Sequence, residues 1–450
     1  MKRILKNYLR YFCMFIFPIS FTLFIPHHAV AATFQVDRLD DNATNPAALC
    51  TAAANDCSLR GAIMRADINP GDDIIQVLGA QFTLTLLGAN EDANMTGDLD
   101  ILGTNGAVTI IGAGAASTII QAGTDGSNGI DRVFHILSGA QVSISDLTVQ
   151  HGQSGANSGG GIRNEGTLTI SGVNIISNSA GNGATGEGGG IYNGSGAVLS
   201  VTDTTFANND GIHGGALSNF GNATITSTTI DRNHAIGGEG GGISNDGGTL
   251  TVINSTITGN SADIEGGGIS SSGTINLTNV TVAFNGINGH PAAGSIHRGG
   301  GTFTIRNTII SNTAVGVNCT GTITSASGNL SSDSSCLLGG GNIENADPLL
   351  GPLTNNGGPT ETHAFAAGSP AIDHGTNGGL PPTDQRGYVR IWDGDGNGSA
   401  IVDVGSYEYG APPYIAPSIP TMNEWGMIIF VLLAGLGSVY YLRRQKRANS

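Results

Sequence analysis

The 450-residue sequence predicts an all-β protein, a right-handed parallel β-helix (solenoid) with a C-terminal transmembrane helix. Three observations predict it. A glycine-led unit recurs along the middle of the chain, apolar residues alternate within each copy, and asparagine returns at a fixed phase.

The unit is clearest as GGGISNDGGTLTVINSTITGNSA, residues 240–262. With it, copies start at Gly159, Gly188, Gly214, Gly240, Gly266 and, in worn form, Gly299, so the starts are 29, 26, 26, 26 and 33 residues apart. A near-constant period of this size marks a stacked architecture in which one repeat is one coil. Leu250 and Val252 alternate with polar residues, and Ile257 has threonine on both sides. Period-two runs rich in Val, Ile and Thr, broken by Gly, Asn and Asp, read as short strands joined by turns. About three such strands fit in a copy, enough for one circuit of a solenoid whose coils pair in parallel.

The asparagines form two columns. One holds Asn178, Asn209, Asn233, Asn260, Asn285 and Asn312; the other holds Asn164, Asn193, Asn219 and Asn245 and becomes Ser271. Asparagine tolerates left-handed backbone, and its amide both donates and accepts, so stacked copies are expected to hydrogen-bond along the axis.

Charge narrows the function. Only 12% of residues are charged, and between residues 32 and 418 there are 33 Asp and Glu, 10 Arg and no Lys, a net of 10 − 33 = −23. Such a surface is unsuited to phosphate backbones, so nucleic acid is not an expected partner, whereas divalent cations are compatible with it. Glycine and proline total 72 + 15 = 87 residues, which fits tight turns in an ordered repeat rather than a disordered chain.

Both ends read as targeting segments. Residues 1–31 combine a basic start, an apolar stretch and the small-residue pattern Ala29-Val30-Ala31, as expected of a secretory signal peptide. Residues 425–442 are long and apolar enough to span a bilayer, and Arg443, Arg444, Lys446 and Arg447 would hold the tail in the cytoplasm. Four cysteines remain after the signal, in two local pairs, Cys50 with Cys57 and Cys319 with Cys336. They suit clamps at the two ends of the solenoid in an oxidising compartment, although four cysteines allow three connectivities.

Three further segments carry resemblances to bacterial surface proteins. CSLRGAIMRAD, residues 57–67, resembles the CSLREA motif of secreted β-helical proteins, with Gly61 where glutamate is usual. Its Leu59, Ile63 and Met64 would form the apolar side of a helical turn covering the open first coil, as the ends of solenoids require. NNGGPTETHAFAAGSPAIDHGTN, residues 355–377, with the continuation TDQRGYVRIWDGDGNGSAIVDVGSYEY to residue 409, is similar to the choice-of-anchor Q domain. That resemblance implies a surface location and assigns no activity. IPTMNEWG, residues 419–426, followed by the apolar span and basic tail, resembles the IPTL-CTERM sorting signal, with Met422 and Asn423 where Leu and Ser are usual. The resemblance implies an exosortase-like membrane enzyme as a partner that processes the tail; an ordinary single-span anchor is the other reading.

The chain therefore divides into a signal peptide (1–31), an N-terminal capping region with the CSLREA-like motif (32–107), the β-helix repeats (108–350), the C-terminal part of a choice-of-anchor Q domain with an acidic loop (351–410), a linker (411–418) and the sorting signal with its transmembrane helix (419–450).

Ligand chemistry points first to WDGDGNGSAIVD, residues 392–403. Asp393, Asp395 and Asn397 at alternate positions before Gly398 match the opening of a calcium loop, with Asp403 standing one place ahead of the twelfth-position ligand. Calcium held by these four residues is one reading; an acidic turn is the other. A second cluster, Glu91, Asp92, Asp98 and Asp100, places two carboxylates on one strand face, for a metal or a sugar, or else is a solvated loop. Glu187, Glu239 and Glu265 share a place ahead of a glycine cluster and are expected to form a surface row, while His213, His234, His290 and His297 show no spacing of a metal site or triad. No catalytic residue is assigned. Together these features predict an exported cell-surface or secreted protein of a Gram-negative bacterium, an adhesin-like or matrix-associated module. Its expected partners are an extracellular polysaccharide or another cell surface, with membrane attachment through its C-terminal helix before sorting. The alternative is a polysaccharide lyase or glycoside hydrolase on the same scaffold.

Overall fold

The computed structural model describes residues 31–42, 50–51, 54–88, 91–181, 185–287, 294–311, 317–415 and 436. Its strands wind into a parallel β-solenoid with three long faces. Sheet A has eleven strands, from Thr33–Val36 to Thr324–Ser325; sheet B has eleven, from Gln81–Thr83 to Ile343–Glu344; sheet C has nine, from Leu99–Ile101 to Cys319–Thr320. A fourth sheet of four two-residue strands, Asp210–Gly211 to Gly286–Ile287, is added beyond the three strands per copy that the periodicity predicts.

Register explains the alternation. Ile170, Val201, Ile225, Val252, Leu277 and Ile305 pair coil to coil in sheet A, as Ile175, Phe206, Ile230, Ile257, Val282 and Ile310 do in sheet B. All are essentially inaccessible to solvent, so each coil adds one layer to a continuous apolar core. Each such side chain contributes about 1.5–3 kcal/mol by leaving water.

The glycine cluster is a corner with no room for side chains. Gly240 has φ +69°, and a Cβ there would lie 2.3 Å from Ile243 O; at Gly241 it would lie 2.1 Å from Ser261 O of the next coil. Tightness of the turn and approach of the neighbouring coil both select glycine.

Both expected asparagine ladders are present. Asn178, Asn209, Asn233 and Asn260 each donate from Nδ2 to the Oδ1 of the next member, ending at Asn285, over 2.9–3.0 Å. Asn164, Asn193 and Asn219 do the same over 2.7 Å, and Asn245 donates to Ser271 Oγ at 3.1 Å. Asn312 lies outside the described residues. A third, shorter ladder was not legible in the sequence: Asn307 donates to Asn279 and Asn279 to Asn254, at corners with positive φ.

A helix covers the first coil. It spans Leu59–Ile68 and packs on the first strands, with Ser58 accepting from Gly61 N at 3.1 Å as its N-cap. Leu59 and Ile63 are buried and Met64 is partly so. Arg60 is also buried, pairing with Asp41 and donating to the carbonyls of Gly97 and Asp98. Glutamate at position 61 would complete a capping box with Ser58, and Gly61 supplies only the backbone half. Disulfides join Cys50 to Cys57 and Cys319 to Cys336.

At the other end the chain turns back. After the antiparallel hairpin Leu350–Thr354 and Thr362–Phe365, residues 366–415 run along the outside of sheet B like a strap. Gln385 donates to Thr229 Oγ1, Ser406 Oγ meets Thr256 Oγ1 at 2.9 Å, and His363 meets Thr258 Oγ1 at 3.0 Å. The predicted signal peptide, apart from Ala31, and the sorting signal, apart from Leu436, lie outside the described residues. Among the described residues no helix is long and apolar enough to cross a membrane.

Candidate functional site

Since the strap covers part of sheet B, sheets A and C present the long open faces. On sheet A the central outward positions of the five-residue strands stack hydroxyl on hydroxyl, broken once by Asn276, while the flanking rows also carry Gln141, Val198, Asn222 and Ile253. The middle row runs Thr109, Ser143, Thr169, Ser200, Thr224, Thr251, Asn276 and Thr304, every member exposed or half-buried. A parallel row runs Ile111, Ser145, Ser171, Thr202, Thr226, Ile253, Thr278 and Arg306, so its hydroxyls are interrupted by Ile253 and bounded by Ile111 and Arg306. Strands about 4.8 Å apart, with outward side chains on alternate residues, make this face a flat, mostly polar lattice in which Val198 and Ile253 are apolar points.

Sheet C carries the ionisable groups. Its central column runs Asp100, His135, Arg163, Tyr192, Ser218, Ser244, Ser270, His297 and Thr320. Beside it stands the expected carboxylate row, and His213 falls within it: Gly188, Gly214 and Gly240 donate their amides to the carbonyls of His213, Glu239 and Glu265. The carboxylates reach across to the central column. Glu187 accepts from Ser218 at 3.1 Å, Glu239 from Ser270 at 2.8 Å, and Glu265 lies 2.7 Å from His297 Nε2. Burial pushes the Glu187 carboxyl above its ordinary range, against the opposing bond from Ser218. The histidines were uninformative in the sequence because their phase, not their spacing from one another, places His213 and His297 here.

At the N-terminal end of sheet C, Asp98 and Asp100 share one face, as their alternation predicts, but they are buried and not part of a solvated loop. Asp98 holds Arg132 at 2.7 Å. His135 Nδ1 lies 3.3 Å from Asp100 and 3.6 Å from Asp92, and its Nε2 lies 3.3 Å from Glu165. Burial raises the carboxyls of Asp98, Asp131 and Asp100, the last to about 6. For His135 burial works in the other direction, and the adjoining Asp100 and Asp98 outweigh it, so its imidazolium is favoured. Glu91 instead accepts backbone amides of Ala93 and Thr96, shaping the loop.

The acidic loop lies on the strap. Asp393 accepts from the amides of Gly396, Asn397 and Gly398, and Asp395 accepts from Asn397. Asp373, which the sequence reading did not select, brings a carboxylate oxygen within 4.8 Å of those of Asp393 and Asp395. Asp403 does not join them. It is buried, its oxygens accept from the amides of Asp373 and Tyr409, and burial raises its carboxyl to about 7. Asn397 is exposed and turns its amide to Asp395. The residues converging in space are therefore Asp373, Asp393 and Asp395, a set of hard oxygen donors suited to calcium.

No family model and no curated protein matches the chain. Among solved structures it is similar to the crystal structure of pectate lyase Pel9A, with a TM-score of 0.45 and 16% identity over 84% of this chain and 96% of that one.

Proposed function

We propose that the protein is an exported solenoid that binds an extended extracellular polymer, a polysaccharide in the first instance, along the hydroxyl face of sheet A. The observation that carries this reading is the in-register row from Thr109 to Thr304, open along its whole length. A linear glycan meets such a face with many weak hydrogen bonds, each small in net value because water is displaced, and gains affinity by repetition. The acidic, lysine-free body and two disulfides suit an extracellular setting. In the same proposal the N-terminal segment directs export, an exosortase-like enzyme processes the tail, and calcium binds Asp373, Asp393 and Asp395 to stiffen the strap. The test is retention of the protein on immobilised neutral and acidic polysaccharides, compared with Thr224→Arg, which roughens the centre of the row.

Glycan cleavage is the second reading, favoured by one observation. Glu239 and Glu265 occupy successive coils of one row, with backbones about 4.8 Å apart by coil spacing and carboxylates meeting the neighbouring column residues Ser270 and His297. Paired carboxylates about 5–5.5 Å apart perform retaining glycoside hydrolysis. New chain ends released by the protein, and lost in Glu239→Gln, would select this reading over binding alone.

A further inference from the structure

The N-terminal end of sheet C gathers more negative charge than its own cations balance. Around His135 stand Asp92, Asp98, Asp100, Asp131 and Glu165, five carboxylates against three cationic groups, the guanidiniums of Arg132 and Arg163 and the imidazolium of His135 itself. Both guanidiniums are already engaged, Arg132 by Asp98 and Arg163 by Glu165. Asp100 is fully buried, and its Oδ1 faces His135 Nδ1 at 3.3 Å while accepting no hydrogen bond. Without a metal only the His135 imidazolium faces that oxygen; a divalent ion bound there would take the place of the proton on Nδ1 and bring the second positive charge that the surplus of carboxylates calls for.

The surrounding geometry supplies the rest of a metal site. Asp92, Asp100 and His135 each offer one ligand atom, all within 4.8 Å of one another. Behind the ring, His135 Nε2 faces Glu165 Oε2 at 3.3 Å. A ligating imidazole commonly gives its second N–H to a carboxylate, which fixes the tautomer and orients the ring. We propose that Asp92, Asp100 and His135 Nδ1 bind one divalent transition-metal ion of the zinc class, with Glu165 as the outer carboxylate that positions the imidazole. One nitrogen and two oxygens suit zinc, whereas calcium takes six to eight oxygen ligands. The side chain of Asp92 is 64% exposed, so the ion is reached from solvent and keeps an open coordination position. The site is separate from the all-oxygen loop of the strap and independent of polymer binding.

The test uses the purified full chain, stripped with chelator and titrated with zinc by calorimetry, and with cobalt by visible absorption. The expected result is saturable binding of one equivalent at this site, with cobalt bands typical of mixed nitrogen and oxygen ligation. Glu165→Gln should weaken binding about 10- to 100-fold, His135→Gln should weaken it further, and Asp393→Asn should leave it unchanged. Glu165 is partly exposed, so its variant keeps the test decisive even where His135→Gln perturbs folding. Absence of saturable binding in the unaltered protein, or equal binding by both site variants, overturns the proposal. So does loss confined to Asp393→Asn, which would move the ion to the strap.

Discussion

Asn260 illustrates how much one side chain carries in this molecule. Its Oδ1 accepts from the amide and the Nδ2 of Asn233, and its own Nδ2 donates to Asn285 and to the carbonyl of Ile230. Asn260→Ala would strand the buried amide and Nδ2 donors of Asn233 on one side and remove a donor from Asn285 Oδ1 and the Ile230 carbonyl on the other, and the expected loss is on the order of 2–3 kcal/mol, read as a lowered thermal midpoint. Thr224→Arg, on the open face, should change stability by less than about 0.5 kcal/mol. The ladders were legible in the sequence because stacking forces one residue type to recur at one phase. Asp373 was not, since only the returning strap brings it to Asp393. The buried acids give a second expectation. Asp100 and Asp403 titrate near 6 and 7, and Glu408, buried beside Arg390 and Asp403, is raised as well. A carboxyl whose folded pKa lies above its unfolded value stabilises the fold fully below the unfolded pKa and loses that contribution as pH rises through the folded one. Thermal midpoints should therefore fall as pH rises from about 4 to about 8, with Glu408→Gln flattening the alkaline part; a midpoint rising across that range contradicts the assignment.

At the scale of elements, the solenoid is regular inside and specialised at its ends. The cap helix depends on Ser58, and Ser58→Ala should cost about 1 kcal/mol, visible as faster amide exchange over residues 59–68 before the central coils respond. The cap was legible because the apolar spacing of Leu59, Ile63 and Met64 is a local signal of a helical turn. The ladder through Asn254, Asn279 and Asn307 was not, because the same left-handed corner is filled by Asp146, Asp203 and Ser227 in earlier coils, so no single residue type marks it. The acidic loop gives an element-level measurement of its own. Trp392 directly precedes Asp393 and is 39% exposed, so its fluorescence should change on calcium addition and stop responding in Asp393→Asn. An unchanged spectrum at millimolar calcium would leave the loop as an acidic turn held by its own backbone amides.

On the scale of the whole molecule, stacking makes stability nearly a sum over neighbouring coils, and the open ends are its weak points. Both ends are secured, one by the cap helix and the Cys50–Cys57 bridge, the other by the Cys319–Cys336 bridge and the strap. The parallel coil architecture was legible from a 26-residue period, whereas the covering of sheet B was not, because it joins residues more than 100 positions apart. That covering leaves sheet A as an open face whose middle row is almost entirely hydroxyl, which we propose binds a linear glycan without cutting it. The most direct measurement is retention on a panel of immobilised polysaccharides, run on the unaltered chain and on Thr224→Arg, with new chain ends assayed in the same samples. Retention of the unaltered chain on at least one polymer, loss of retention in Thr224→Arg, and no new chain ends are expected. Equal retention of the two proteins, or release of chain ends by the unaltered one, would contradict the proposal.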